Sequence, residues 1–247
     1  MIKFFRKTRQ NLLSEGKTEK YLKYAIGEIF LVVIGILIAV QINSWHTALK
    51  KEELKTTYTR NLINDLTKDT IQLKARIRNN EDRFLKRIDS LKVIIADETT
   101  TVNDIKSMGK KLGVSGLRTL NTYNNNTFNI LISSGNIDLF DEDVIQKIMQ
   151  LNRLQNFQTD VANGNRESYF SLYSNYLQRY LGNYNEVNEA INNEVWDNVD
   201  AMEHACIYIN AINIQRHSVT RYIELSNDVL IKTEELIKTL KSSIETE

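Results

Sequence analysis

The chain of 247 residues carries 32 basic and 31 acidic side chains, one cysteine and no proline. A single cysteine excludes an intrachain disulfide framework, so packing alone has to hold the fold. Seven of the basic and three of the acidic residues fall within 1–28; the remaining 25 and 28 form no basic stripe for nucleic acid.

The first segment, MIKFFRKTRQNLL, sets Phe4, Phe5, Leu12 and Leu13 among basic residues. That composition suits a short helix lying on an anionic leaflet, with a disordered basic tail as the alternative. Residues 1–23 are expected to form a cytoplasmic basic amphipathic segment.

The stretch YAIGEIFLVVIGILIAVQINSW, 24–45, is the one long apolar run. As a helix it rises about 32 Å, against a hydrocarbon core of roughly 30 Å. Its uninterrupted apolar part, 29–40, is shorter, and alone suits a buried core helix or a signal h-region. The flanks favour a span. Tyr21 and Tyr24 at one end and Trp45 at the other suit two interfaces, with Gln41, Asn43 and Ser44 at headgroup depth. Ala39-Val40-Gln41 is not an A-x-A cleavage pattern, so an uncleaved transmembrane helix over 24–45 is expected. Lys3, Arg6, Lys7, Arg9, Lys17, Lys20 and Lys23 precede it, opposed by Glu15 and Glu19. Lys50, Lys51, Lys55 and Arg60 follow, mixed with Glu52 and Glu53. The bias places the N-terminus in the cytoplasm and 46–247 on the far side.

Glu28 lies inside this span, where ionisable side chains are functional candidates by default. Glu28, Gly35 and Ile42 are seven apart, and Gly35 with Ala39 makes a small-xxx-small pair on the same broad face. Glu28, Gly35 and Ala39 are therefore the candidate intramembrane interface or relay. The competing reading is that Glu28, about one turn from Lys23 and Tyr24, reaches interfacial water or pairs with a lysine.

Beyond the span, the lack of proline and only nine glycines predict a nearly all-α chain. Leu49, Leu62, Leu66, Leu73, Ile77, Phe84, Ile88, Leu91 and Ile95 form a coiled-coil-like stripe, so one helix is expected from the membrane to about Asp97. Gly109, Gly113 and Gly116 mark a loop after a short helix. Another helix is expected over about 120–133, ending at Ser134-Gly135. Asp141 suits the N-cap of the next, with Val144, Ile145, Ile148, Leu151 and Leu154 inward. That helix continues, with a kink at Gly164, to Leu181, and Gly182 breaks it. A short helix through Trp196 precedes a last long one over 200–244. Its buried stripe is Ile209, Ile212, Val219, Ile223, Leu230, Ile237, Leu240 and Ile244, with Cys206 a buried, inert core residue. The expected fold is all-α: a single N-terminal transmembrane helix followed by an extracytoplasmic bundle of long antiparallel helices over 46–247.

Tyr169, Tyr173, Tyr176 and Tyr180 repeat at helical spacing and make a candidate partner surface. The alternative is that the rings cover the bundle seam with their hydroxyls at its wet edge. The acidic run Asp138, Asp141, Glu142 and Asp143 lacks EF-hand spacing and suits the first turn of a helix instead. Glu203, His204 and Cys206 cannot share one helical face as metal ligands, and His46 and His217 are the only other histidines. With no H-E-x-x-H, C-x-x-C, phosphate loop or G-x-S-x-G, the chain reads as non-enzymatic, without catalytic residues, metal or cofactor.

The run MIKFFRKTRQNLLSEGKTEKYLKYAIGEIFLVVIGILIAVQINSW, with the weaker SSGNIDLF at 133–140, resembles the signatures of a domain-of-unknown-function family of single-span membrane proteins from flavobacterial-type bacteria. The resemblance implies an inner-membrane anchor and a periplasmic domain in a two-membraned bacterium. It carries over no activity. His46-Thr47 departs from the asparagine-rich segment usual after the tryptophan. The expected role is a scaffold or interaction module whose partners are the lipid bilayer, its own copies in a homo-oligomer, or other envelope proteins. The alternatives are a transmembrane coupling or ion-conducting subunit using Glu28, and a ligand sensor acting through a partner.

Overall fold

The computed structural model describes residues 18–115, 122–181 and 187–245, and among them every regular element is a helix. Helix α1, Thr18–Asn79, passes into a π-helical turn, Asn80–Leu85, and then α2, Lys86–Ile95. There follow α3 (Val102–Leu112), α4 (Asn126–Ser134), a 3-10 turn (Asn136–Leu139), α5 (Glu142–Arg179), α6 (Glu189–Asp197) and α7 (Ala201–Glu245). The chain divides into two compact units, Met1–Thr57 and Tyr58–Glu247. The expected basic segment over 1–17, Gly116, the start of a helix near 120, Gly182 and the side chains of Tyr21 and Tyr24 lie outside the described residues.

From Leu62 to Leu91 the stripe builds the bundle as its spacing predicts, with Phe84 and Ile95 half-buried, whereas Leu49 at its start is exposed. Leu62, Leu66 and Leu73 pack with Leu131, Phe140, Val144, Ile148, Leu151, Val229, Leu236 and Leu240. Ile77, Ile88 and Leu91 join a second cluster with Ile105, Trp196, Ile212, Val219 and a group of tyrosines. Helices α5 and α7 are antiparallel: Lys147 Nζ donates to Thr239 Oγ1, and Gln158 Nε2 to Ser226 Oγ at 2.6 Å. On these two helices the buried Gln155, Gln158 and Ser226 lie where the two apolar clusters meet, and half-buried Leu230 touches both clusters.

Local departures from the expected elements have identifiable causes. The helix expected to reach Asp97 runs to Ile95 but widens at Asn80–Leu85, where Lys86 N–H donates to the Glu81 carbonyl, five residues back. Asn80 Nδ2 donates to the Arg76 carbonyl at 2.9 Å, competing with the backbone bond an α turn makes there. Helix α4 begins at Asn126, where α1 takes the Asn124 backbone donor just before it and the Asn125 N–H donates to the Tyr123 carbonyl. Asn124 N and Nδ2 donate to Asp69 Oδ1 at 3.0 and 2.6 Å, and Thr127 Oγ1 to Asp65 Oδ2 at 2.7 Å. Two carboxylates from α1 thus cap α4 from outside it. Burial pushes the Asp69 carboxyl up, against the pull of the Asn124 hydrogen bonds. Gly135, at φ +70°, ends α4 in the left-handed conformation. Asp141 stands at the N-cap of α5 without a capping side-chain bond, and α5 runs unbroken through Gly164.

Three expectations are corrected. Gly109 lies inside α3 and not in a loop; Gly113, at φ 56°, ends that helix. Cys206 is exposed, because α7 turns His204, Ala205, Tyr208, Ala211 and Ile212 inward and leaves position 206 outside that stripe. Ile209, Leu230, Ile237 and Ile244 are half-buried flanks of the stripe and do not form its centre.

Candidate functional site

In the unit Met1–Thr57 the apolar run stands bare. Ile29, Phe30, Leu31, Val32, Val33, Ile34, Ile36, Leu37, Ile38 and Val40 are each between 39% and 71% exposed. At about 1.5–3 kcal/mol per apolar side chain, leaving these in water costs on the order of 15–30 kcal/mol. A whole domain has a net stability of about 5–15 kcal/mol, so something apolar has to cover this helix. Trp45 is exposed at one end of the run. Glu28 is half-buried, and Gly35 and Ala39 are exposed on the same broad face. No heavy atom lies within 4 Å of the place a Cβ would take at Gly35, so that face is open to a close neighbour.

In the unit Tyr58–Glu247 the tyrosine stripe points inward. Tyr169, Tyr176 and Tyr180 are buried and Tyr173 is half-buried. This corrects both their assignment as a partner surface and the expectation of hydroxyls at a wet edge. Tyr169 Oη donates to the Ser115 carbonyl, and Tyr176 Oη meets His204 Nε2 at 3.0 Å. The rings enclose His204, a residue the sequence pattern leaves inconspicuous. Its imidazole is 0% exposed and sits 4.8 Å from the Tyr180 ring, 5.2 Å from Trp196, 5.5 Å from Tyr208 and 5.7 Å from Tyr176, between centroids.

Gly109 closes the remaining side of this cage. A Cβ there would fall 2.3 Å from His204 Cε1 and Nε2 and 3.0 Å from Tyr176 Oη, so only glycine lets α3 approach. Lys106, one turn earlier on α3, donates to the carbonyls of Val199 at 2.7 Å and Asp197 at 3.3 Å, tying down the α6–α7 connection. Burial, with a smaller effect from Lys106, pushes the His204 imidazolium down to about 4, so the ring is neutral at pH 7. The His204 Nδ1 atom has no hydrogen-bond partner among the described residues.

The described residues hold no group of three or more His, Cys, Asp or Glu side chains placed to bind a metal ion. A shallow groove of about 550 Å³ lies between α5 and α7, lined by Arg153, Leu154, Phe157, Asp228, Ile231 and Lys232 among others.

An apolar N-terminal helix long enough to cross a membrane, together with a compact all-α bundle, defines the class of this chain. The chain matches the family of unknown function DUF6090 over residues 28–195 and belongs to that family. The matched stretch takes in Glu28, Gly35, Ala39, Gly109 and the four tyrosines, and stops just before Trp196. No curated protein and no solved structure matches it.

Proposed function

We propose that the chain is a non-enzymatic module anchored in the bacterial inner membrane, whose periplasmic bundle holds other envelope proteins or further copies of itself. The observation that carries this reading is the bare apolar run of 29–40, which calls for a lipid or protein cover. The excess of lysine and arginine before the span supports a cytoplasmic N-terminus. Crosslinking in intact cells, with identification of the co-purified proteins, tests the partner; a reporter fused after Glu247 tests the side. Recovery of envelope proteins or self-crosslinks, and a periplasmically active reporter, are expected. A reporter active in the cytoplasm overturns the placement, and crosslinked material lacking any protein partner overturns the role.

The open face of the span has its own test. If Gly35 and Ala39 let a second helix approach, Gly35→Ile forces the backbones apart and weakens assembly, while Val33→Ile on another face leaves it unchanged. Glu28→Gln keeps the shape and removes the charge, and is expected to be nearly silent in an anchor. An oligomeric state untouched by Gly35→Ile, in detergent and in membranes, reduces the span to a tether.

A further inference from the structure

We propose that His204 is an acid-sensitive latch: its protonation releases the packing of α3, α5 and α6 on the first half of α7, while the cluster around Leu66, Ile148 and Leu236 stays closed. In its Nε2–H tautomer a neutral imidazole donates to Tyr176 Oη and leaves only the Nδ1 lone pair, not an N–H, without a partner among the described residues. An imidazolium has two N–H groups to place. The second, at Nδ1, finds no acceptor among the described residues. Gly109 presses α3 against Cε1 and Nε2, so the ring cannot turn aside without displacing a helix.

The charged and titratable groups around the ring give the cation no counter-ion. They are Lys106 and Lys110 on α3, Arg87 on α2, Arg179 with Tyr176 and Tyr180 on α5, Asp197 at the end of α6, Asp200 before α7, and Glu203, Cys206 and Tyr208 on α7. Lys106 acts on the ring directly and, as a cation, opposes protonation. Glu203 is engaged by Arg179, and Asp200 Oδ1 accepts from Glu203 N. The surrounding aromatic rings attract a desolvated cation by about 2 kcal/mol, less than the several kcal/mol that desolvating an unpaired charge costs.

The release is local because His204 belongs to one of the two apolar clusters. Tyr176, Tyr180, Trp196 and Tyr208 all fall in that cluster, and its join to the other on α5 and α7 carries the buried polar Gln155, Gln158 and Ser226, with half-buried Leu230 touching both. The direction follows from proton linkage. An opened chain takes up the proton near 6.5 and the closed cage near 4, so the opened form binds more protons between those values and gains ground as pH falls.

The test uses the full chain in detergent, in a Trp45→Phe background that leaves Trp196 as the one indole. Between pH 7 and 4.5 the opening equilibrium read by amide hydrogen exchange over 102–112 and 189–212 is expected to rise roughly 50-fold. Trp196 emission shifts to the red in step, and protection over 144–151 and 229–240 holds. His204→Phe is expected to show neither change; should it fail to fold, His204→Gln, which keeps a hydrogen-bonding group opposite Tyr176 and does not titrate, takes its place. A flat wild-type response, the same acid response in the His204 variants, or both clusters opening together overturns the latch. Direct titration of His204 by NMR in the wild-type chain, if it gave an ordinary imidazole value near 6.5, overturns it as well.

Discussion

Replacing Gly109 by alanine destabilises the bundle even though alanine is the better helix former. In an open helix interior the exchange gains about 1 kcal/mol. Here the added Cβ meets His204 Cε1 and Nε2 at 2.3 Å, and the ring is walled in by Tyr176, Tyr180, Trp196 and Tyr208. Forcing one carbon into a filled core costs about 1–3 kcal/mol, and more where the neighbours cannot move. With the ring walled in, the cost falls at the upper end of that range, leaving a net loss of about 2 kcal/mol and a fall in Tm of roughly 4–8 °C for a unit of this size. Thermal unfolding followed by circular dichroism checks the sign. In a His204→Ala background the Cβ keeps only the Tyr176 Oη contact at 3.0 Å, at the end of a side chain that has lost its partner, so the same exchange there becomes neutral or stabilising. A rise in Tm on Gly109→Ala alone is incompatible with a ring packed against α3.

Why this contact escapes a reading of the sequence is physical. Gly109 and His204 are far apart in the chain, and neither breaks a local rule strongly enough to draw attention. A glycine in a run with Gly113 and Gly116 looks like loop punctuation, and only the long-range approach of a ring explains it in a helix. The tyrosines at 169, 173, 176 and 180 reveal a shared face, but period alone cannot say whether that face looks outward or inward. Cys206 reads as core from its apolar neighbours; the inward stripe of α7 runs through His204, Ala205, Tyr208 and Ile212, and two residues of helical rotation carry position 206 away from it. What was legible is what local physics controls. The bare apolar helix announces itself by length and composition, Leu62 to Leu91 by spacing, and the end of α4 by Gly135. The late start of α4 was not, because Asp65 and Asp69, in another helix, set it.

A fragment beginning at Tyr58 is expected to fold and stay soluble without detergent, whereas one beginning at Asn80 is expected not to fold. Removing Met1–Thr57 takes away no buried residue among those described. It also removes the bare apolar run. Removing 58–79 takes Leu62, Leu66, Leu73 and Ile77, all buried, from both apolar clusters. At about 1.5–3 kcal/mol each, their burial contributes on the order of 6–12 kcal/mol, comparable to the whole net stability of a domain at about 5–15 kcal/mol. The same cut strips the two carboxylates that hold Asn124 and Thr127, so α4 loses its external cap. Helicity at 222 nm, a cooperative melt and size-exclusion elution distinguish the fragments. If 80–247 melts as cooperatively as 58–247, α1 is a tether that only leans on the bundle. If 58–247 aggregates, apolar surface beyond the span needs a partner. The expected outcome makes α1 a wall of the bundle core and the carrier of the apolar run, so that any variant weakening Leu66 or Leu73 acts on the element that also holds that run.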